Sequence, residues 1–229
     1  AADQGAHVGN ISLQYYELPP EQVTLLQNAV DYAHDQGMLL VAATGNGRPA
    51  GSIAYPARSA NTMAVGGTTN RDEVATSATA GWISNTGAEI DVCAPGDDIY
   101  STWTTDNYAF LFGTSMATPH VSCLAALIKS YAPGLDNSLI QAAIQNTCDD
   151  LGPSGWDPQS GHGRINAYQA LLAASAFLCS DSADCDDGNP CTDEACVAGT
   201  CEISDNAVTC DDLLFCTIND ACAHGTCRG

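Results

Sequence analysis

The sequence predicts an α/β fold on a parallel sheet, followed by a small disulfide-stapled module. Three observations carry this. Short apolar runs alternate with helical patterns over the first 178 of 229 residues, the order expected of α/β architecture. The run "MLLVAAT" (38–44) is apolar throughout, as suits a parallel strand covered on both faces. Nine of the twelve cysteines lie beyond residue 178, with only Cys93, Cys123 and Cys148 before it, a density that indicates disulfides and an oxidising compartment.

Taken in order, "HVGNISL" (7–13) reads as a short strand. Pro19 and Pro20 then open a helix with Val23, Leu25, Leu26, Ala29, Val30 and Ala33 at helical spacing, and Gly37 stops it. "MLLVAAT", "TMAVGGT" (62–68) and "EIDVCAP" (89–95) supply the next strands. "YSTWTTDNYAFLFG" reads as a hairpin turning near Asp106 and Asn107, and three helices follow, over about 115–131, 137–146 and 165–176. The predicted domains are therefore 1–178 and 179–229. Within the second, "CDDGNPCTDEACVAGTC" (185–201) is answered by "CDDLLFCTINDACAHGTC" (210–227), an internal repeat.

With 27 acidic and 6 basic residues the formal charge is -21, which repels phosphate backbones and anionic lipid. Nucleic acid is not an expected partner. No run approaches the roughly 18 apolar residues of a membrane-spanning helix.

"GTSMATPH" (113–120) places Ser115 after a glycine turn and at the head of an apolar helix. There, unpaired amide hydrogens and the positive end of the helix dipole favour a developing oxyanion. A helix-capping serine is the plain alternative. As a nucleophile, Ser115 fits two constellations. One is the elbow of α/β-hydrolases, whose acid and histidine follow the serine, with Asp149, Asp150 or Asp157 and then His162. Against it stand G-x-S-x-A in place of G-x-S-x-G, Pro119 in the first turns, and a very short acid-to-histidine segment.

The other is the subtilisin-like serine proteases. "GTSMATPHV" resembles their serine motif, "VAATGN" (41–46) their oxyanion-asparagine segment, and "VGNISL" (8–13) the strand lining their cleft; "AYPARSANTMAVGGT", "IDVCAPGDDIYST" and "GHGRINAYQAL" match in the same order. The resemblance covers about residues 1–176. It implies a subtilisin-like three-layer fold whose N-terminal part is absent, and a serine endopeptidase acting on polypeptide substrates. Ser115 is then the nucleophile and Asn46 the oxyanion donor. Ser12, Leu13 and Gln14 lie alongside the substrate, and Ala43, Thr44 and Gly45 form one wall of the pocket for the residue before the scissile bond. The family usually follows Ser-Leu with glycines, whereas this chain has Gln14 and Tyr15, side chains that narrow the cleft.

In this family the triad acid and histidine precede the serine, yet the residues before Asn46 hold neither a D-T-G or D-S-G segment nor an H-G-T-H segment. His7, His34, His120, His162 and His224 match no catalytic slot, and His120 sits about 500° round the helix from Ser115. The expectation is that acid and base lie upstream of Ala1, on a missing N-terminal part of the catalytic domain, and that the chain by itself is inactive. A rival is a non-catalytic secreted adhesion or binding protein with a vestigial protease scaffold.

Glu89 and Asp91 alternate along "GAEIDV" and so point to the same face of a strand. The resemblance implies a weak calcium or sodium site there, and a solvated acid pair is the alternative; no cofactor is required. The tail's C-x5-C-x4-C-x4-C spacing lacks the paired C-x2-C knuckles of structural zinc, so disulfides are expected, with one tail cysteine left over to bond Cys148 or a partner outside the chain. The tail resembles extracellular cysteine-rich repeats, which places the protein outside the cell, secreted or at the surface.

Overall fold

The structure, a computed structural model, describes residues 1–47, 53–179, 181–197, 199–211 and 221–228. It divides into two compact units, Ala1–Tyr131 with Asp136–Ala173, and Ala174–Gly229 with Ala132–Leu135.

The first unit is built on four parallel strands in the order β1 (Val8–Ile11), β2 (Leu39–Ala43), β3 (Thr62–Thr68), β4 (Val92–Pro95). Register aligns Ile11 with Ala42, Ala42 with Ala64 and Gly66 with Cys93. Every residue of β2 and β3 is buried, which explains their unbroken apolar character. β1 is an edge strand, only partly buried and paired to β2 alone among the described residues.

Alternation along the strands sorts the core into two faces. Leu40 packs with Val30 and Met38, against Ile11 and Ala33, beneath helix α1 (Pro20–Asp35). Farther along that face, Ala42, Ala64 and Cys93 cluster with Ile53, Ala57 and Ile90. The opposite residues Leu39, Val41, Met63, Val65 and Val92 are all buried, and helix α2 (Thr114–Tyr131) lies across all four strands. Its buried stripe is Ala117, Val121, Leu124, Ala125 and Ile128. Helix α3 (Asn137–Gln145) packs on α2; its N-cap Asp136 accepts the Leu139 amide hydrogen at 2.8 Å. Helix α4 covers Ala167–Ser175.

The predicted hairpin is β5 (Ile99–Trp103) with β6 (Asn107–Leu111), antiparallel, its turn at residues 104–106. One departure from the sequence reading concerns β4, which begins only at Val92. Glu89 precedes it in a turn closed by the Ile90 amide on the Gly87 carbonyl, so strand alternation does not set the directions of Glu89 and Asp91. They nevertheless line one cavity of about 400 Å³.

Among its described residues the second unit holds two hairpins, β7 (Thr192–Val197) with β8 (Thr200–Asp205) and β9 (Ala221–Ala223) with β10 (Thr226–Arg228). In each repeat the first cysteine bridges the fourth, Cys185 to Cys201 and Cys210 to Cys227. Cys179 closes on Cys196, and Cys191 of the first repeat closes on Cys222 of the second. Cys148 keeps a free thiol; Cys216 and most of its neighbours in the second repeat lie outside the described residues.

Candidate active site

Three backbone segments converge at the carboxyl ends of β1 and β2, where open parallel sheets hold their ligands. They are Ser12–Gln14 after β1, Thr44–Asn46 after β2, and the Gly113–Ser115 turn that opens α2. The Gly113 carbonyl accepts from the Met116 and Ala117 amides, and the helix begins at Thr114, so Ser115 is its second residue and not its cap. Position at the helix head therefore leaves the hydroxyl available for chemistry.

The turn and the asparagine are joined. Asn46 Oδ1 accepts the Thr114 amide hydrogen at 3.0 Å and its hydroxyl at 3.2 Å. This anchors the oxygen end of the carboxamide and leaves its Nδ2 as the donor end. Gly113 sits at φ +129, and a Cβ there would stand 3.3 Å from Asn46 Nδ2, so glycine is what lets the carboxamide lie over the turn. The Gly45 amide donates to Thr114 Oγ1 at 3.1 Å.

Pro119 has a local consequence. Lacking an N–H, it leaves the Ser115 carbonyl without its helical partner. The hydroxyl of Ser12 donates to that carbonyl at 2.9 Å, and Ser122 donates to Asn10 Oδ1 at 2.9 Å. β1 and the residue after it are thus pinned to the helix that bears Ser115.

Sequence reasoning missed Thr114, Tyr16 and Asn85. The Tyr16 hydroxyl lies within 3.2 Å of both the Asn46 amide and the Asn46 carbonyl, and it accepts from Asn85 Nδ2 at 2.8 Å. Asn85 is fully buried and also donates to the Thr44 carbonyl at 3.2 Å. Thr114 was visible inside "GTS"; no local pattern marks a contact spanning 69 positions such as that of Asn85 with Tyr16.

Ser115 also lines a cavity of about 510 Å³ between the β5–β6 hairpin and α2, together with Met116, Pro119, His120 and Cys123. The His120 ring is engaged through Nδ1 with the Met116 carbonyl at 2.9 Å. The α/β-hydrolase candidates are committed elsewhere. Asp149 pairs with Arg164 and accepts from Asn166, which holds its carboxyl below the usual range, and Asp157 accepts from Ser160 and the Gln159 amide.

At the acid pair, Asp91 accepts from the Ala64 amide at 2.6 Å and from Gln145 at 2.7 Å. Burial nevertheless pushes its carboxyl up to about 6. Glu89 faces the Arg58 guanidinium at 3.4 Å. In the same cavity the buried hydroxyls of Ser59 and Thr62 have no hydrogen-bond partner. These oxygens suit a hard cation, with Arg58 competing for Glu89.

Fold and site together define an α/β protein with a helix-borne serine at the carboxyl end of a parallel sheet. The Subtilase family profile matches residues 1–163, and the chain belongs to that family. It is 42% identical over 170 residues to Subtilisin Savinase of Lederbergia lenta, covering 74% of this chain and 58% of that protein. To Thermitase of Thermoactinomyces vulgaris it is 43% identical over 173 residues, 75% of this chain and 56% of the relative. A solved S41 psychrophilic protease superposes with a TM-score of 0.64 at 33% identity, covering 72% of this chain and 60% of that one. The chain thus spans little more than half the length of these curated relatives.

Proposed function

We propose that this chain carries the nucleophile half of a serine endopeptidase active site. The observation that carries the reading is the coupling of Asn46 through Thr114 to the turn bearing Ser115. The Ser115 oxygen bonds to the scissile carbonyl carbon as its proton passes to a base. Asn46 Nδ2 donates to the resulting oxyanion. Collapse of the intermediate breaks the C–N bond, the base returns the proton to the leaving amine, and water then hydrolyses the acyl-enzyme by the same route in reverse. Substrate backbone lies along Ser12, Leu13 and Gln14, with Ala43, Thr44 and Gly45 walling the pocket for the residue before the scissile bond.

The base and its orienting acid come, in this reading, from polypeptide N-terminal to Ala1. Two surfaces favour it. An apolar cavity of about 390 Å³ opens beside edge strand β1, lined by core residues Ile11, Val30, Met38 and Leu40. On α2, Cys123, Leu127 and Tyr131 form a second, exposed stripe at helical spacing that flanks the buried one, as expected of a helix with a further neighbour on that side.

The oxygen-lined cavity at Glu89 and Asp91 is assigned to a weakly held calcium or sodium ion, which would offset the carboxylate charge there. Four disulfides in the second unit favour an extracellular setting. A fluorophosphonate probe tests the core of the proposal. The full-length protein is expected to label at Ser115 and its Ser115→Ala variant is not; a full-length protein that stays unlabelled points to the adhesion scaffold instead.

A further inference from the structure

The space between the two segments flanking Ser115 and Asn46 is occupied by the protein's own side chains. Gln14 Oε1 crosses it to accept the Asn46 amide hydrogen at 2.9 Å. The Tyr16 hydroxyl stands 3.1 Å from the same Gln14 oxygen and accepts from Asn85 Nδ2 at 2.8 Å. Gly45, at φ +98, shows how full the floor is. A Cβ built there would meet the Tyr16 hydroxyl at 2.5 Å, Asn85 Nδ2 at 2.7 Å and the Ala54 methyl at 3.1 Å.

The obstruction is anchored at both ends. Tyr15 and Tyr55 exchange backbone hydrogen bonds at 3.0 and 2.8 Å, and the Ala54 amide donates to the Thr44 carbonyl at 2.9 Å. The segment bearing Gln14 and Tyr16 is therefore tied to the wall it faces. Moving Tyr16 aside breaks its hydrogen bonds to the buried Asn85 carboxamide and to Gln14, a cost that must be met before a larger side chain can enter.

We infer that Gln14 and Tyr16 close the pocket for the residue before the scissile bond, so that the enzyme selects glycine or alanine at that position. This rests on the protease reading above and names its substrate class. A larger side chain at that position has to displace the Tyr16 hydroxyl from Asn85 and Gln14, and the penalty falls on every bulky residue alike.

The test uses the full-length protein and fluorogenic peptides differing only in that residue: glycine, alanine, leucine and phenylalanine. The expected kcat/KM for alanine exceeds that for phenylalanine by roughly 100-fold. Tyr16→Ala is expected to shrink that ratio by at least about 10-fold, chiefly through a lower KM for the phenylalanine peptide. Gln14→Gly reads the same ratio should Tyr16→Ala fail to fold, and is expected to shift it in the same direction. Equal cleavage of alanine and phenylalanine peptides by the unaltered protein overturns the inference, as does a ratio that neither variant moves. Labelling of Ser115 by a small fluorophosphonate, run in parallel, separates the two failures. A labelled protein without the preference for small residues loses only this inference; an unlabelled one loses the protease reading, and this inference with it.

Discussion

In the sheet unit, all of β2 and β3 is buried and three cysteines, Cys93, Cys123 and Cys148, remain thiols. In the tail, among the described residues from 181 on, only Cys185, Cys191 and Cys222 are buried, and each is half of a disulfide. The sheet unit removes enough apolar surface from water to need no covalent help, since the buried fraction grows with domain size. The tail is too small and too polar for that and replaces a core by cross-links that restrict its unfolded state. The contrast also explains why the two parts read so differently in the sequence, one by apolar periodicity and the other by cysteine spacing.

Reduction is the strongest way to break the comparison. Each native disulfide of a small secreted module contributes about 2–5 kcal/mol, so dithiothreitol is expected to unfold the tail of the full-length protein and leave the sheet unit's melting transition in place. Differential scanning calorimetry with limited proteolysis reads both. Simultaneous loss of the two transitions would show that the sheet unit depends on the tail.

A smaller effect comes from Asp91, the most strongly shifted carboxyl among the described residues. Burial raises Asp91 from its ordinary 3.8 to about 6. The folded state therefore holds this proton more tightly than the unfolded chain. Stability from this group is fully present below pH 3.8 and falls as pH rises to about 6, by roughly 3 kcal/mol. In calcium-free buffer, Asp91→Asn is expected to abolish that decline in denaturant melts. Millimolar calcium should flatten it in the unaltered protein; an unchanged slope argues against the cation.

The smallest effect is a rate. Burial pushes the Cys148 thiol up to about 12 and Cys93 higher still, with a further rise at Cys148 from neighbouring Asp149, so thiolate is scarce at both. Cys123 is exposed on α2. Iodoacetamide at pH 8 should modify Cys123 in the 229-residue chain and spare the other two, by mass spectrometry of peptides. In the full-length protein Cys123 should be slowed as well, if upstream polypeptide covers that face of α2. Equal Cys123 rates in the two proteins would leave that face bare.

Much of the fold was legible because it is local. "MLLVAAT" and "TMAVGGT" announce buried strands by composition alone, and the glycine of "GTSMATPH" sits where the turn before α2 needs it. Glu89 was misread because a pattern of alternating residues cannot reveal the turn at Gly87 that precedes β4. The closure of the pocket was half legible. Gln14 and Tyr15 stood out as bulky residues where glycines were expected, but it is Tyr16 that reaches Gln14 and Asn85, a meeting made only when β1 and the loop after β3 are brought together. The partner of Cys191 was equally hidden, since two repeats with near-identical cysteine spacing give no sign that one reaches into the next.

That link between the repeats has a further result. The spans 179–196, 185–201, 191–222 and 210–227 overlap in series, so every peptide bond from Cys179 to Cys227 lies within at least one covalent ring. A single cut anywhere in that stretch opens a ring and releases nothing. The tail can be nicked and still travel with the domain it follows.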